Sequence, residues 1–352
     1  MTVNFVAIGN QYIDEVQQWS VAYSENGADW TPKIIDSGIA LYNVAYGKDG
    51  EGNPLWVIVG SGGVGNSHGR VWTSPDGINW SIFSPAIFDA SPIKTIAYNN
   101  GLWIAGCNGM LAVGPVGYST DGSTWTVPGL DSNIYTMVPG PAVAGSQYYF
   151  LQYINDKFFL WGDNGTTGDP VFAQSSDGLD WTAIAITDTP LDGVNERLYD
   201  MTYGNGIYAV IGYNACNLFT TTDFITWSAS KNEESGCMAS VATDGTNFVA
   251  SGCELWVSSD GATWSQEAET VIEAGWYDTT LYNSSLGLFV SLVANQTTDS
   301  IISSSNRTTW TTRFEQGSPM FNFVTFATTT EASPAPAAVV SNKPKIIFLK
   351  MI

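Results

Sequence analysis

Four arginines, Arg70, Arg197, Arg307 and Arg313, a single histidine, His68, and four cysteines, Cys107, Cys216, Cys237 and Cys253, carry most of the distinctive chemistry of this 352-residue chain. A carboxylate pocket of three guanidiniums needs their planar forks to converge. Arg307 falls in a repeated turn expected on the face opposite Arg70 and Arg197, so convergence of three is not expected. One histidine excludes a histidine-based triad or a multi-histidine metal site on count. His68 itself, in the stretch SGGVGNSHG from Ser61, reads as a solvated loop residue. The glycines of GSGGVG follow a strand but open no helix, so the phosphate-loop and dinucleotide readings lack their context. The cysteines show no CxxC spacing. Cys237 and Cys253 fall at neighbouring strand ends, where either a disulfide or two free thiols would fit. Two carboxylates at a glycosidase separation are always available among 33 acids, and no pair stands out. These residues lead to the expectation that the chain is not an enzyme and carries no cofactor or metal.

Charge narrows the partners further. A formal charge of −21, from 33 acidic and 12 basic side chains, repels phosphate backbones and anionic membrane surfaces. Nucleic acid and membrane insertion are therefore not expected, and there is no apolar run of about 18 residues. Met1 to Gly9 lacks the pattern of a secretory leader. Aromatic residues form 13% of the sequence, and no stretch has helical amphipathicity, so the chain reads as all-β.

The elements that must position any site come from a repeat. Ser-x-Asp-Gly-x-x-Trp, or a close variant, recurs seven times, ending at Trp30, Trp80, Trp125, Trp181, Trp227, Trp264 and Trp310. The spacings are those of a propeller blade. The turns carry Asp76-Gly77, Asp121-Gly122, Asp177-Gly178, Asp223-Phe224 and Asp260-Gly261, with Asn26-Gly27 and Asn306-Arg307 as variants. Asp-Gly and Asn-Gly suit a tight two-residue hairpin, with the tryptophan on the following strand.

Upstream of the turns, an aromatic opens a second strand at Phe5, Trp56, Trp103, Phe158, Tyr208, Phe248 and Phe289, and a first strand ends at Tyr46, Tyr98, Tyr153, Tyr203, Thr243 and Tyr282. The first copy lacks that first strand. Asn322 to Ala327 has its pattern, so a carboxy-terminal strand is expected to complete blade one and leave no free seam. The expected fold is a seven-bladed β-propeller of four-stranded antiparallel blades over residues 1–327. Residues 328–352 read as a linker followed by an attachment strand, with Lys345, Ile346, Ile347, Phe348, Leu349 and Lys350 as candidate partner contacts.

The turn resembles the Asp-box of sialidase-like propellers, shortened by one residue between Asp and Trp. The shortened form is similar to repeats of phage and large-virus proteins. In that family the box is a folding element, so the resemblance implies a structural role for the turn aspartates. It also implies a structural or adhesion component of a virion or phage particle, contacting other protein subunits or a cell-surface glycan. The second reading is a glycan-active or glycan-binding propeller, and the third an assembly factor. The corresponding location is a virion or extracellular particle, with the cytoplasm as the alternative. Contacts are expected in loops opposite the turns: NQYIDEVQQ from Asn10, SGGVGNSHG, CNGMLAVGPVG from Cys107, DNGTTGDP from Asp163, and the connections Pro128 to Gln147 and Ala183 to Arg197.

Overall fold

A computed structural model describes residues 2–13, 16–37, 40–62, 68–107, 116–127, 147–163, 170–186, 198–212, 218–231, 238–266, 276–294, 299–316 and 322–329. They form seven antiparallel sheets, the blades of an all-β propeller. Six blades have four strands; in blade 3 the fourth place is taken by a single bridge between Tyr118 and Thr126. The 3-10 turn Ala86–Phe88 is the one helical element among the described residues.

Within each blade, strands follow in chain order from the axis outward, except that blade 1 runs Asn322–Thr328, Phe5–Ile13, Val16–Ser24, Thr31–Ser37. There Phe5 stands opposite Thr328 and Asn10 opposite Asn322, and the Thr329 amide donates to the Asn4 carbonyl at 3.0 Å. The other inner strands are Ala40–Lys48, Ile93–Asn99, Gln147–Ile154, Leu198–Gly204, Met238–Thr243 and Trp276–Asn283, for blades 2 to 7. Each inner strand adjoins the next around the ring.

The core lies between blades. Sheets twisted and stacked face to face must bury an apolar layer at every interface. Seven separate clusters do this, each drawing side chains from two neighbouring blades, such as Val6, Val21, Val44 and Trp56 between blades 1 and 2. The aromatics read from the sequence pair across the first two strands: Tyr46 with Trp56, Tyr98 with Trp103, Tyr153 with Phe158, Tyr203 with Tyr208 and Tyr282 with Phe289, at ring centroid distances of 4.5 to 4.9 Å. Such directly opposed rings are the units that fix strand register.

Two local expectations are corrected. The repeat is not a two-residue hairpin: strands end at Ser74 and resume at Ser81, and of the Asp-Gly pair only glycine has positive φ. The wider turn exists because the Asp side chain, not a primed turn, organises the backbone. His68 is not a solvated loop residue but opens a strand, half-buried and paired with Gly62, because the ladder extends over Gly60, Ser61 and Gly62 opposite Arg70, Gly69 and His68. The stretch NQYIDEVQQ is likewise mostly strand, with Ile13 opposite Val16.

Candidate functional site at the axis

The turn residues named from the sequence form one repeated hydrogen-bond unit. In blade 3, Asp121 Oδ1 accepts from the Ser119 hydroxyl at 3.0 Å and from the amides of Ser123 and Thr124 at 2.8 and 2.6 Å. The Gly122 amide donates to Ser119 Oγ at 2.8 Å and the Trp125 indole to the Gly122 carbonyl at 3.1 Å. Asp76, Asp177, Asp223 and Asp260 accept the same pair of amides, as do Asn26 and Asn306. Trp181 and Trp264 bond back to Gly178 and Gly261, whereas the buried indole N–H groups of Trp80 and Trp227 have no partner among the described residues. Burial pushes the Asp76 and Asp121 carboxyls up, yet the amides they accept from outweigh it and hold both at about 2. Asp260 is held at about 2 by the amides of Thr263 and Ala262.

Each turn is also a wedge between blades. A Cβ on Gly77 would meet Val3 and Val6 of blade 1 at 2.9 and 3.1 Å and Trp56 of its own blade at 3.2 Å. Gly122, Gly178 and Gly261 sit equally close to the preceding blade. Where glycine is missing, a side chain occupies the seam at positive φ: Phe224 among Phe159, Tyr208 and Trp227, and Arg307 donating to the Ser258 carbonyl at 3.2 Å. Each of these carboxylates holds the turn backbone through its Oδ1.

Groups that the packing leaves unused occur at the other end of the inner strands. Each inner strand of blades 2 to 7 carries a β-bulge near its start, opposite the end of the second strand; the extra residues are Tyr42, Lys94, Tyr149, Tyr199, Ala239 and Asp278. A bulge breaks the two-residue alternation and re-aims side chains. In blades 5 and 6 the polar residue after it, Asp200 and Ser240 respectively, reaches the next blade. Asp200 Oδ2 accepts from the Val241 amide at 2.9 Å and the Ser240 hydroxyl at 2.6 Å, and Ser240 Oγ accepts from the Thr280 amide at 3.0 Å. Gln152 adds a donor to Asp200 Oδ1 at 3.3 Å. The inner strand is a sheet edge, and these side chains satisfy its free N–H groups.

On blades 2, 3 and 7 the post-bulge residues Asn43, Thr95 and Thr279 make no such bond among the described residues, and on blade 4 the place is held by Phe150. Asn43 and Thr95 hold the same post-bulge positions, are fully buried, and neither the Asn43 amide nor the Thr95 hydroxyl has a partner among the described residues. Beside them Lys94 reaches across the seam, its Nζ 3.3 Å from the centre of the Tyr42 ring, and Ser61 donates to Tyr42 Oη at 3.1 Å. Burial lowers the Lys94 amine below its ordinary value. Lys94 makes no ion pair among the described residues. A half-buried ammonium on an aromatic face is fit to receive an anionic group.

Sequence reasoning singled out none of these residues. Of the arginines, Arg70 donates to the Gly69 carbonyl, Arg313 to the Ser303 hydroxyl, and Arg197 lies outside the described residues. Cys253 is a free, exposed thiol, so it forms no disulfide with Cys237, which lies outside the described residues together with Cys216. Cys107 is free and buried, and burial pushes its thiol up. The attachment residues Lys345, Ile346, Ile347, Phe348, Leu349 and Lys350 lie outside the described residues, as do most of the expected contact loops. Among the described residues no cluster of three or more His, Cys, Asp or Glu could hold a metal.

No protein-family model matches the chain, and no curated protein matches its sequence. Solved structures do match its fold. A protein from Lactobacillus plantarum superposes with TM-score 0.60 at 10% identity, covering 92% of this chain and 99% of that one. The periplasmic gluconolactonase PpgL of Pseudomonas aeruginosa gives 0.56 at 9%, covering 92% and 98%. YCF48 bound to D1 peptide gives 0.52 at 12%, covering 78% and 81%. These similarities establish the propeller, a class of protein whose members include both binders and gluconolactonases. The expectation that the chain is not an enzyme is therefore withdrawn: it rested on the missing arginine and histidine constellations, and propellers of this shape include proteins described as gluconolactonases.

Proposed function

We propose that the chain is a recognition propeller of a multi-subunit particle, engaging its partner at the loop end of the ring axis between blades 2 and 3. The observation that carries this reading is the half-buried Lys94 ammonium seated on the Tyr42 ring across the seam of blades 2 and 3, without an ion pair among the described residues. An ammonium held on an aromatic face without an ion pair among the described residues keeps its charge for an outside partner. The shortened repeat, similar to those of phage and large-virus proteins, supports placing that partner among virion subunits or cell-surface molecules, and the Asp-box likeness supports a purely architectural role for the turns. Residues 1–327 form the recognising body in this reading, and residues 328–352 tether it. The tail segment from Lys345 to Lys350 adds to an exposed outer strand of a neighbouring subunit, of the kind offered by Ser81–Phe83, where Ile82 and Phe83 are exposed.

Photo-cross-linkers placed at Tyr199, near the loop end, and at Ala262, in a turn, test the reading in the native assembly. Adducts are expected from the loop-end position; adducts from the turn position alone would refute it. Deleting residues 343–352 should abolish incorporation of the propeller into the particle, and unchanged incorporation would remove the tether role.

A further inference from the structure

We infer that Asn100 is a site of spontaneous backbone modification: attack by the Gly101 amide and addition of water convert it to aspartate and isoaspartate, while the same dipeptide in two other turns of the ring is protected.

The turn between the first two strands of blade 3 is Asn100-Gly101, bounded by the pair Asn99 and Leu102. Its φ angles of 47° and 82° are the left-handed pair that an Asn-Gly hairpin adopts. The strands below the tip are anchored to blade 2. Tyr98 packs on Trp103 at 4.5 Å between ring centres, the Tyr98 ring lies against Gly47 so closely that a Cβ there would collide with it, and the Trp103 indole donates to the Lys48 carbonyl at 2.9 Å. Past that anchor both tip residues are exposed. The Asn100 side chain has no hydrogen-bond partner among the described residues, and nothing lies within 4 Å of the place a Gly101 Cβ would take.

The chemistry needs only these two residues and solvent. The Gly101 nitrogen gives up its proton to a base in solvent and bonds to Asn100 Cγ; the Cγ–Nδ2 bond breaks and ammonia leaves. Water then opens the five-membered imide at either carbonyl, giving aspartate or, with the chain diverted through the side chain, isoaspartate. Glycine permits the attack because no side chain shields its nitrogen. That nitrogen donates to Tyr98 Oη at 3.1 Å, a bond to a neutral acceptor with little net worth to hold it back. The products add one negative charge to the turn end of blade 3, and isoaspartate adds a carbon to the backbone. An aged copy therefore differs chemically from a new one.

Two described turns repeat the dipeptide without this freedom. Asn205-Gly206 in blade 5 has nearly the same angles, 51° and 79°, and an equally open glycine. There Asn205 Nδ2 donates to the carbonyls of Thr246 and Ser259 in blade 6, at 2.7 and 3.2 Å. In Asn26-Gly27, Asn26 Oδ1 accepts from the amides of Ala28 and Asp29, Nδ2 donates to Asp29 Oδ2, and the Gly27 amide is committed to Ser24 Oγ at 2.9 Å. In both turns bonds must break before Cγ can swing toward the following nitrogen. Each bond slows ring closure several-fold, and two or more together slow it about tenfold or more. Asn108-Gly109 and Asn164-Gly165 lie outside the described residues.

The test ages the full chain in warm, mildly alkaline buffer and reads each turn by peptide mass spectrometry, with aspartyl and isoaspartyl products separated by chromatography. Conversion at Asn100 is expected to run about tenfold or more faster than at Asn205 or Asn26, with both products present. The same incubation in denaturant, where no turn is tied, should make the three rates similar. Gly101→Ala places a methyl group beside the attacking nitrogen and should slow conversion at Asn100 about tenfold while leaving Asn205 unchanged, with thermal unfolding verifying the fold. Equal native rates at Asn100 and Asn205, an Asn100 that stays unmodified, a difference that persists in denaturant, aspartate without isoaspartate, or an unchanged rate in folded Gly101→Ala would each overturn the assignment.

Discussion

Replacing Gly77 by alanine separates two effects that glycine can have in a turn. Gly77 has φ of 72°, and an added Cβ would lie 2.9 Å from Val3 Cγ1, 3.1 Å from Val6 Cγ2 and 3.2 Å from the Trp56 indole nitrogen. Gly206, in the turn between the first two strands of blade 5, has φ of 79° and nothing within 4 Å of the same atom. Both substitutions put an L-residue in the left-handed region, at about 1 kcal/mol. Only Gly77→Ala also forces a methyl group between two branched side chains and a ring that are buried and cannot rotate away, at about 1–3 kcal/mol more. Denaturant unfolding followed by tryptophan fluorescence should therefore show about 2–4 kcal/mol lost for Gly77→Ala and about 1 kcal/mol for Gly206→Ala. Equal losses within about 0.5 kcal/mol would mean that the turn does not wedge the blades, and the inter-blade account of the repeat would fail.

Three further outcomes follow from the same geometry. Asp121→Ala strips the acceptor from the amides of Ser123 and Thr124 and should cost about 1–2 kcal/mol, like loss of a helix cap, whereas Asp121→Asn should cost less than about 0.5 kcal/mol because Asn26 and Asn306 already hold the same bonds; equal losses in equilibrium unfolding would assign the carboxylate a further role. The carboxyls of Asp76, Asp121 and Asp260 stand at about 2 against an ordinary 3.8, so the stability they contribute is complete above about pH 4 and is lost as pH falls toward 2; a stability profile flat from pH 5 to pH 2 would contradict this, and solvent screening at these surface turns keeps the drop modest. Truncation after Gln316 removes the strand paired with Phe5–Asn10 and should sharply lower the unfolding temperature by exposing a sheet edge at the ring's seam, while an unchanged temperature would deny that strand a closing role.

The blades were legible because each carries two local signals that need no long-range information. An aromatic opens the second strand, and an Asp-Gly pair supplies a side-chain acceptor and a residue free to take positive φ. Where glycine is absent the composition is silent: nothing local announces that Phe224 fills the seam between blades 4 and 5. The glycines around Ser61 misled in the opposite direction, since loop-like composition masks a ladder that pairs Gly60 with Arg70 and Gly62 with His68. The axial site was illegible for a topological reason. A bulge is one extra residue counted against a partner strand, so Lys94 within IKTIAYN looks like any alternating position until the pairing of Ile93 with Cys107 and Thr95 with Gly106 reveals it. Its contact with Tyr42 joins two blades, and no spacing along the chain encodes that distance.

The account divides the molecule into turns that hold the ring and an axial end that meets a partner, and one paired measurement tests the division directly. Unfolding free energy and partner capture are measured side by side for Asp121→Ala and Lys94→Met. Asp121→Ala should lose stability while its folded fraction captures partner normally, and Lys94→Met should keep its stability and lose capture. Loss of capture in Asp121→Ala at full foldedness, or normal capture by Lys94→Met, would contradict it.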